Sequence, residues 1–117
     1  MCRTVLSSIN YKIIDGVTSI GQSAFADCSS LTTIDIPDGV TSIGEKAFFK
    51  CSSLTSIDIP EGVTYIGNYA FRGCSSLTSI HIPANVKIIG VGPFMDCVAV
   101  ENITVADNNP YYTAVDG

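Results

Sequence analysis

Apolar residues return every 23 positions along most of the chain. Phe25, Phe48, Phe71 and Phe94 form one set, and Cys28, Cys51, Cys74 and Cys97 a second. Leu31, Leu54, Leu77 and Val100 form a third, and the pairs Ile34/Ile36, Ile57/Ile59, Ile80/Ile82 and Ile103/Val105 keep the same interval. The string Gly16-Val17-Thr18-Ser19-Ile20-Gly21 recurs as Gly39-Val40-Thr41-Ser42-Ile43-Gly44 and as Gly62-Val63-Thr64-Tyr65-Ile66-Gly67, with a worn fourth copy in Asn85-Val86-Lys87-Ile88-Ile89-Gly90. A fixed period between about 20 and 50 residues marks a solenoid or array.

Within one copy the pattern changes twice. Leu54-Thr55-Ser56-Ile57-Asp58-Ile59 alternates apolar and polar with β-branched content, which predicts a half-buried strand. Pro60 cannot donate to a ladder and ends it. Gly62 supplies a turn, Val63-Thr64-Tyr65-Ile66 predicts a second extended segment, and Gly67 breaks it. Residues 68–74 then read as a short helical turn, with Asn68 as its cap and Ala70, Phe71 and Cys74 inward. Each copy is thus one coil of a right-handed solenoid, β-rich but of α/β class, with a parallel sheet on one face and helical turns on the other. One coil cannot bury enough apolar surface to offset its ordering, whereas stacked coils can.

The organisation follows: residues 1–15 are a degraded half-coil, with Tyr11 and Ile13 in register with Ile34 and Ile36. Coils one to four are 16–38, 39–61, 62–84 and 85–107, and 108–117 lead out of the array after the period lapses beyond Val105. Neither end offers an obvious polar cap. The chain therefore reads as a piece of a longer array; the alternative is that its open ends pair with another copy.

Composition narrows the function. The chain has 117 residues, 46% hydrophobic and 15% charged, which excludes global disorder. Six basic against eleven acidic residues argue against binding a phosphate backbone. No apolar run approaches the roughly 18 residues of a membrane span. The opening Met1-Cys2-Arg3-Thr4-Val5-Leu6 lacks the apolar stretch of a signal peptide.

The pattern Gly-Val-Thr-Ser-Ile-Gly-x-x-Ala-Phe-x-x-Cys-Ser-Ser-Leu-Thr-x-Ile-x-Ile-Pro, carried by residues 16–37 and 39–60, resembles the BspA-like leucine-rich-repeat family of bacterial and protist surface proteins. The resemblance covers about residues 16–105, and the segment 109–117 resembles one that introduces further repeats in such proteins. The fourth copy departs from it, with Pro93 in place of Ala and Val98-Ala99-Val100 in place of Ser-Ser-Leu. The resemblance implies a leucine-rich-repeat solenoid that is secreted or held at the cell surface. It also implies a non-catalytic module of adhesion type that binds proteins, host extracellular components among them.

Candidate chemistry is sparse. The four spaced cysteines cannot share a zinc ion, because Cys28 and Cys97 would lie about 14 Å apart at strand spacing, whereas zinc needs every sulfur about 2.3 Å from one point. They read as a column of buried thiols acting as small hydrophobes, with Cys2 outside it as the one candidate for an intermolecular bridge. No metal or other cofactor is expected.

Positions between the inward isoleucines should face solvent as two rows. One runs Asp35, Asp58, His81, Thr104 and the other Thr33, Ser56, Ser79, Asn102, with a rim of Asp38, Glu61, Ala84 and Asp107. Stacked carboxylates repel and would welcome a cation or a basic partner, although a solvated acidic face accounts for them better, because exposed carboxylates are well hydrated. The expected ligand-binding face is Thr33, Asp35, Ser56, Asp58, Ser79, His81 and Asn102.

His81 with Asp58 and Ser79 has the outline of a catalytic triad, but a flat sheet offers neither a pocket nor oxyanion donors, so no enzyme is expected and His81 should simply pair with Asp58. Asn102-Ile103-Thr104 is a glycosylation sequon, usable only in a eukaryotic secretory route. The functional expectation is a protein-interaction module with no nucleic-acid partner and no membrane insertion; the alternative is a structural spacer that self-associates through its uncapped ends.

Overall fold

A computed structural model describes residues 9–113, Ile9 by its backbone alone. Cys2, residues 3–8 of the half-coil and residues 114–117 lie outside the described residues. The strands among the described residues are β1 Ile9–Lys12, β2 Ser19–Ile20, β3 Leu31–Asp35, β4 Ser42–Ile43, β5 Tyr65–Ile66, β6 Ser79–Ile82, β7 Ile88–Ile89 and β8 Asn102–Val105. All pairings are parallel, and they fall into three sheets ordered β1-β3, β2-β4-β5-β7 and β6-β8. Apart from Ile9 with Leu31, at a register shift, partners are 23 residues apart, as in Ile43 with Ile66 and Ile80 with Ile103, so the sequence period is the pitch of the coil.

The apolar columns form one core. Val40, Ile43, Phe48, Cys51 and Leu54 of coil two, and Val63, Ile66, Phe71, Cys74 and Leu77 of coil three, have no exposed surface. Four phenylalanines stack through it with centroid separations of 5.4, 5.2 and 5.6 Å from Phe25 to Phe94. Coils two and three are sealed by a neighbour on each side. Coil four is not: Val98 is 83% exposed and Ile103, inward in the row of Ile34, Ile57 and Ile80, is 46% exposed.

The expected helical turns do not form; no helix occurs among the described residues. Residues 22–27, 45–50 and 68–73 are runs of turns in which two columns take the left-handed backbone conformation. Ser23, Lys46, Tyr69 and Gly92 make one, with φ of 57°, 54°, 56° and 54°. Asp27, Lys50, Gly73 and Asp96 make the other, with φ of 61°, 59°, 78° and 62°. A left-handed residue ends the right-handed path a helix needs. The backbone bonds instead alternate in direction. Ala24, Ala26 and Cys28 donate within the turn to Gly21, Ser23 and Phe25, whereas Ser23, Phe25 and Asp27 donate across to Glu45, Ala47 and Phe49 of the next coil. The cross-coil bonds repeat at Lys46, Phe48 and Lys50, and again at Tyr69, Phe71 and Gly73. Asn68 is accordingly no helix cap; its Oδ1 accepts from the Val91 N–H at 2.8 Å.

Residues 54–59, expected as a strand, belong to no sheet, although Leu54, Ile57 and Ile59 are buried and Thr55, Ser56 and Asp58 exposed as the alternation requires. One backbone bond still ties this segment to coil one, from the Thr55 N–H to Thr32 O at 3.2 Å.

The cysteine column also differs from a run of four free thiols. Cys28 is disulfide-bonded. Cys51, Cys74 and Cys97 are free, and each thiol donates to the carbonyl of a phenylalanine one coil back: Phe25 at 3.1 Å, Phe48 at 3.2 Å and Phe71 at 3.0 Å.

Candidate functional site

The outward side of the longer strands carries two rows of polar residues. β1 and β3 place Asn10 beside Thr33 and Lys12 beside Asp35, and β6 and β8 place Ser79 beside Asn102 and His81 beside Thr104. All seven residues expected on the binding face are exposed. Asp35, Asp58 and His81 each sit between two buried isoleucines of their own coil, so the core fixes the spacing of that row.

Four of the seven come together. Thr33, Asp35, Ser56 and Asp58 line a shallow groove of about 390 Å³ with Asn10, Tyr11 and Lys12 of the half-coil. Asn10 Oδ1 accepts from Thr33 Oγ1 at 2.6 Å and from Thr32 Oγ1 at 3.1 Å, which ties the half-coil to coil one. Tyr11 meets Phe25 edge-on at 5.5 Å and 62°, so one face of its ring is held by the core while 48% of the residue stays exposed. Lys12 puts a cation at the head of the row that continues through Asp35 and Asp58. The groove therefore presents one ammonium, two carboxylates, hydroxyls and an aromatic edge. Ser79, His81 and Asn102 lie outside it and extend the same face along β6 and β8.

His81 does not pair with Asp58. Its Nδ1 hydrogen-bonds Thr104 Oγ1 at 2.8 Å, because β6 is laddered to β8 and residues 54–59 are in no strand. The Ser79, His81 and Asp58 set thus lacks the base-to-carboxylate contact a triad requires. Among the described residues no three His, Cys, Asp or Glu side chains converge on a metal site. No helix of the described residues is long and apolar enough to cross a membrane. Asn102, the sequon residue, is exposed on β8.

Asn10 and Lys12 were missed as candidates, though the signal existed. Aligning Tyr11 with Ile34 and Ile13 with Ile36 already places Lys12 over Asp35 and Asn10 over Thr33.

The profile of the BspA type leucine rich repeat region matches residues 2–113 in six copies. The chain belongs to this family. Its fold is similar to that of a leucine-rich repeat protein from Bacteroides ovatus, at 40% identity and a TM-score of 0.77 over 80% of this chain and 24% of that one. It is similar also to a leucine-rich repeat protein from Bacteroides capillosus, at 33% identity and a TM-score of 0.74 over 87% of this chain and 80% of that one. A leucine-rich cell surface protein from Faecalibacterium prausnitzii matches at 27% identity and a TM-score of 0.57 over 80% of this chain and 40% of that one. None of the curated proteins compared with the chain matches it. This BspA-type array spans about a quarter of the Bacteroides ovatus protein, and its repeating residues are those of the core rather than of the groove.

Proposed function

We propose that this BspA-type array is a non-catalytic protein-binding module that meets its partner across the outward rows of the longer strands. The observation that carries the reading is the groove in which Lys12, Asp35 and Asp58 are held beside Tyr11 on a rigid stacked core. A repeated scaffold with a variable polar face suits recognition of an extended protein surface, whereas an open groove with no enclosed base and nucleophile does not suit bond making. The chemistry of the groove favours a partner segment that carries Lys or Arg. The named surface relative from Faecalibacterium supports a place at the cell surface, where host extracellular matrix or surface proteins are the partners within reach, and the long Bacteroides ovatus relative supports a larger protein around the array.

The test is surface plasmon resonance of the chain against a panel of purified extracellular-matrix proteins, compared with the Asp35→Lys/Asp58→Lys double variant. The variant should keep the parent's circular dichroism and lose at least about tenfold in affinity, the effect of reversing two contact charges. Equal binding by parent and variant removes the acidic rows from the account.

One observation favours the structural alternative. The apolar surface left open on coil four, with Val98 and Ile103 exposed, is a face on which a second copy could stack. Light scattering over a concentration series separates the two readings: a mass that stays monomeric at the highest concentration rejects self-assembly.

A further inference from the structure

Three free thiols follow one another through the column, and their surroundings differ. Cys51 and Cys74 have no exposed surface, whereas Cys97, in the unsealed fourth coil, is only partly buried. Cys74 and Cys97 are neighbours in the column, close enough for each thiol to influence the ionisation of the other, while their own protons go to the Phe48 and Phe71 carbonyls. The coils that carry them are clamped on one side by Phe71 N–H to Pro93 O at 2.8 Å and Gly73 N–H to Met95 O at 2.9 Å. Neighbouring coils at about 4.8 Å place paired α-carbons inside the range that disulfides span. The remaining requirement is a small approach of the two β-carbons, to about 3.8 Å. Coil four is the coil able to supply it. Phe94 is tilted 17° from Phe71 at 5.6 Å, whereas Phe48 and Phe71 differ by 1° at 5.2 Å, and Val98 and Met95 stand open to solvent.

The electrostatics point the same way. In its thiol form Cys97 donates to the Phe71 carbonyl. The neighbouring Cys74 thiol, and with it the nearby N–H groups of Cys74 and Gly73, favour the thiolate and draw Cys97 below the ordinary thiol range against the opposing effects of burial and the Asp96 charge. Its contact with Cys97, together with burial, pushes Cys74 up. The pair therefore consists of an accessible nucleophile and a protonated neighbour that supports it.

We propose that Cys74 and Cys97 are an oxidisable dithiol in which Cys97 reacts first with a small-molecule disulfide and Cys74 then closes an inter-coil disulfide onto it. In the first step the Cys97 thiolate attacks one sulfur of the reagent, forming a mixed disulfide and expelling one thiolate. In the second, Cys74 passes its proton to the expelled thiolate, attacks Cys97 Sγ and releases the second reagent thiolate. Two protein thiols are oxidised and one reagent disulfide is reduced to two thiols. The product staples the open fourth coil to the sealed third.

The experiment treats the full chain, folded, with oxidised glutathione and maps its cysteines by mass spectrometry after quenching. The parent should yield a peptide linking Cys74 to Cys97, with Cys51 still free. Cys74→Ser should stop at a glutathione adduct on Cys97, and Cys97→Ser should react at least about tenfold more slowly than the parent, since the more accessible thiolate is gone. A parent chain that accumulates the adduct on Cys97 without the link overturns the proposal. So does a Cys97→Ser chain whose remaining thiols react at the parent rate. Should Cys74→Ser fail to fold, the parent's own linkage map decides.

Discussion

Phe48 and Phe71 stack face to face with their ring centroids 5.2 Å apart and their planes 1° from parallel. Neither ring has exposed surface, and each is fixed by backbone bonds of its own coil to the next: Phe48 N–H to Ala70 O at 2.7 Å and Phe71 N–H to Pro93 O at 2.8 Å. The column is therefore held by main-chain register as well as by apolar contact. Replacing Phe48 or Phe71 with Ala leaves a ring-sized void that the flanking coils cannot close, at about 3–5 kcal/mol in chemical unfolding. Phe94→Ala, at the half-buried end, should cost distinctly less. Equal losses at all three positions would show that coil four is sealed in solution.

Gly67 is glycine because of its neighbour and not because of its torsions. A β-carbon there would lie 2.6 Å from the Glu45 nitrogen and 2.8 Å from the Gly44 carbonyl carbon, both backbone atoms that cannot step aside. One period before coil two, Gly21 occupies the same column with nothing within 4 Å of that position. Gly67→Ala should lower stability by about 1–3 kcal/mol, the usual range for overpacking, while Gly21→Ala stays within about 0.5 kcal/mol of the parent. Thermal unfolding of the two variants side by side tests this; similar shifts would refute the close approach of the coils.

How far the sequence reaches is visible in these columns. Buried positions were legible because repetition multiplies the signal: one Phe in a polar stretch says little, and four at a common interval say which face is inside. The turns were not legible, because Ser23, Asp27, Lys46 and Lys50 take positive φ without being glycine. Only Gly73 and Gly92 carry the residue that such torsions normally select, and two glycines in eight places do not outweigh an Ala-Phe-Cys spacing that suits a helix. At the surface, His81 was assigned the charged neighbour, Asp58, where the ladder supplies Thr104 on the other side. Charge alone suggests a partner, but it does not say which adjacent coil is within reach.

Asn109 shows a polar residue continuing an apolar column. It stands one period beyond Val86 and is buried, with 7% exposure. Its Nδ2 donates to Pro83 O at 2.9 Å and Val86 O at 3.1 Å, and its Oδ1 accepts from the N–H groups of Tyr111 at 2.7 Å and Tyr112 at 2.9 Å. It thus ties carbonyls at the junction of coils three and four to the chain that follows coil four. Asn109→Val, which restores the residue type of the column, should still destabilise by about 1–3 kcal/mol because the Val86 carbonyl and the N–H groups of Tyr111 and Tyr112 lose their partner. Amide hydrogen exchange at Tyr111 and Tyr112 should quicken more than at Ile66, and unchanged exchange there would remove the residue from this role.

Cys51 links burial to alkaline stability. Desolvation pushes its thiol up from 9.0 to about 12, the N–H of Cys28 offsets this in part, and the nearby Asp27 charge adds to the rise. A thiol whose folded value is raised keeps its proton in the folded chain while the unfolded chain loses it. Its contribution is therefore present in full below pH 9, where both states are protonated, and declines as pH rises from there toward the folded value of about 12. Cys51→Ala lacks this contribution, although it also loses the sulfur's packing and its bond to the Phe25 carbonyl. The stability gap between parent and Cys51→Ala should accordingly be constant through neutral pH and shrink by about 1.4 kcal/mol per pH unit above pH 9. Tyrosine and lysine titrations are common to both chains and cancel in the difference. Urea unfolding at a series of alkaline pH values measures the gap, and one that stays level would mean that Cys51 ionises in the folded state as readily as in the unfolded one.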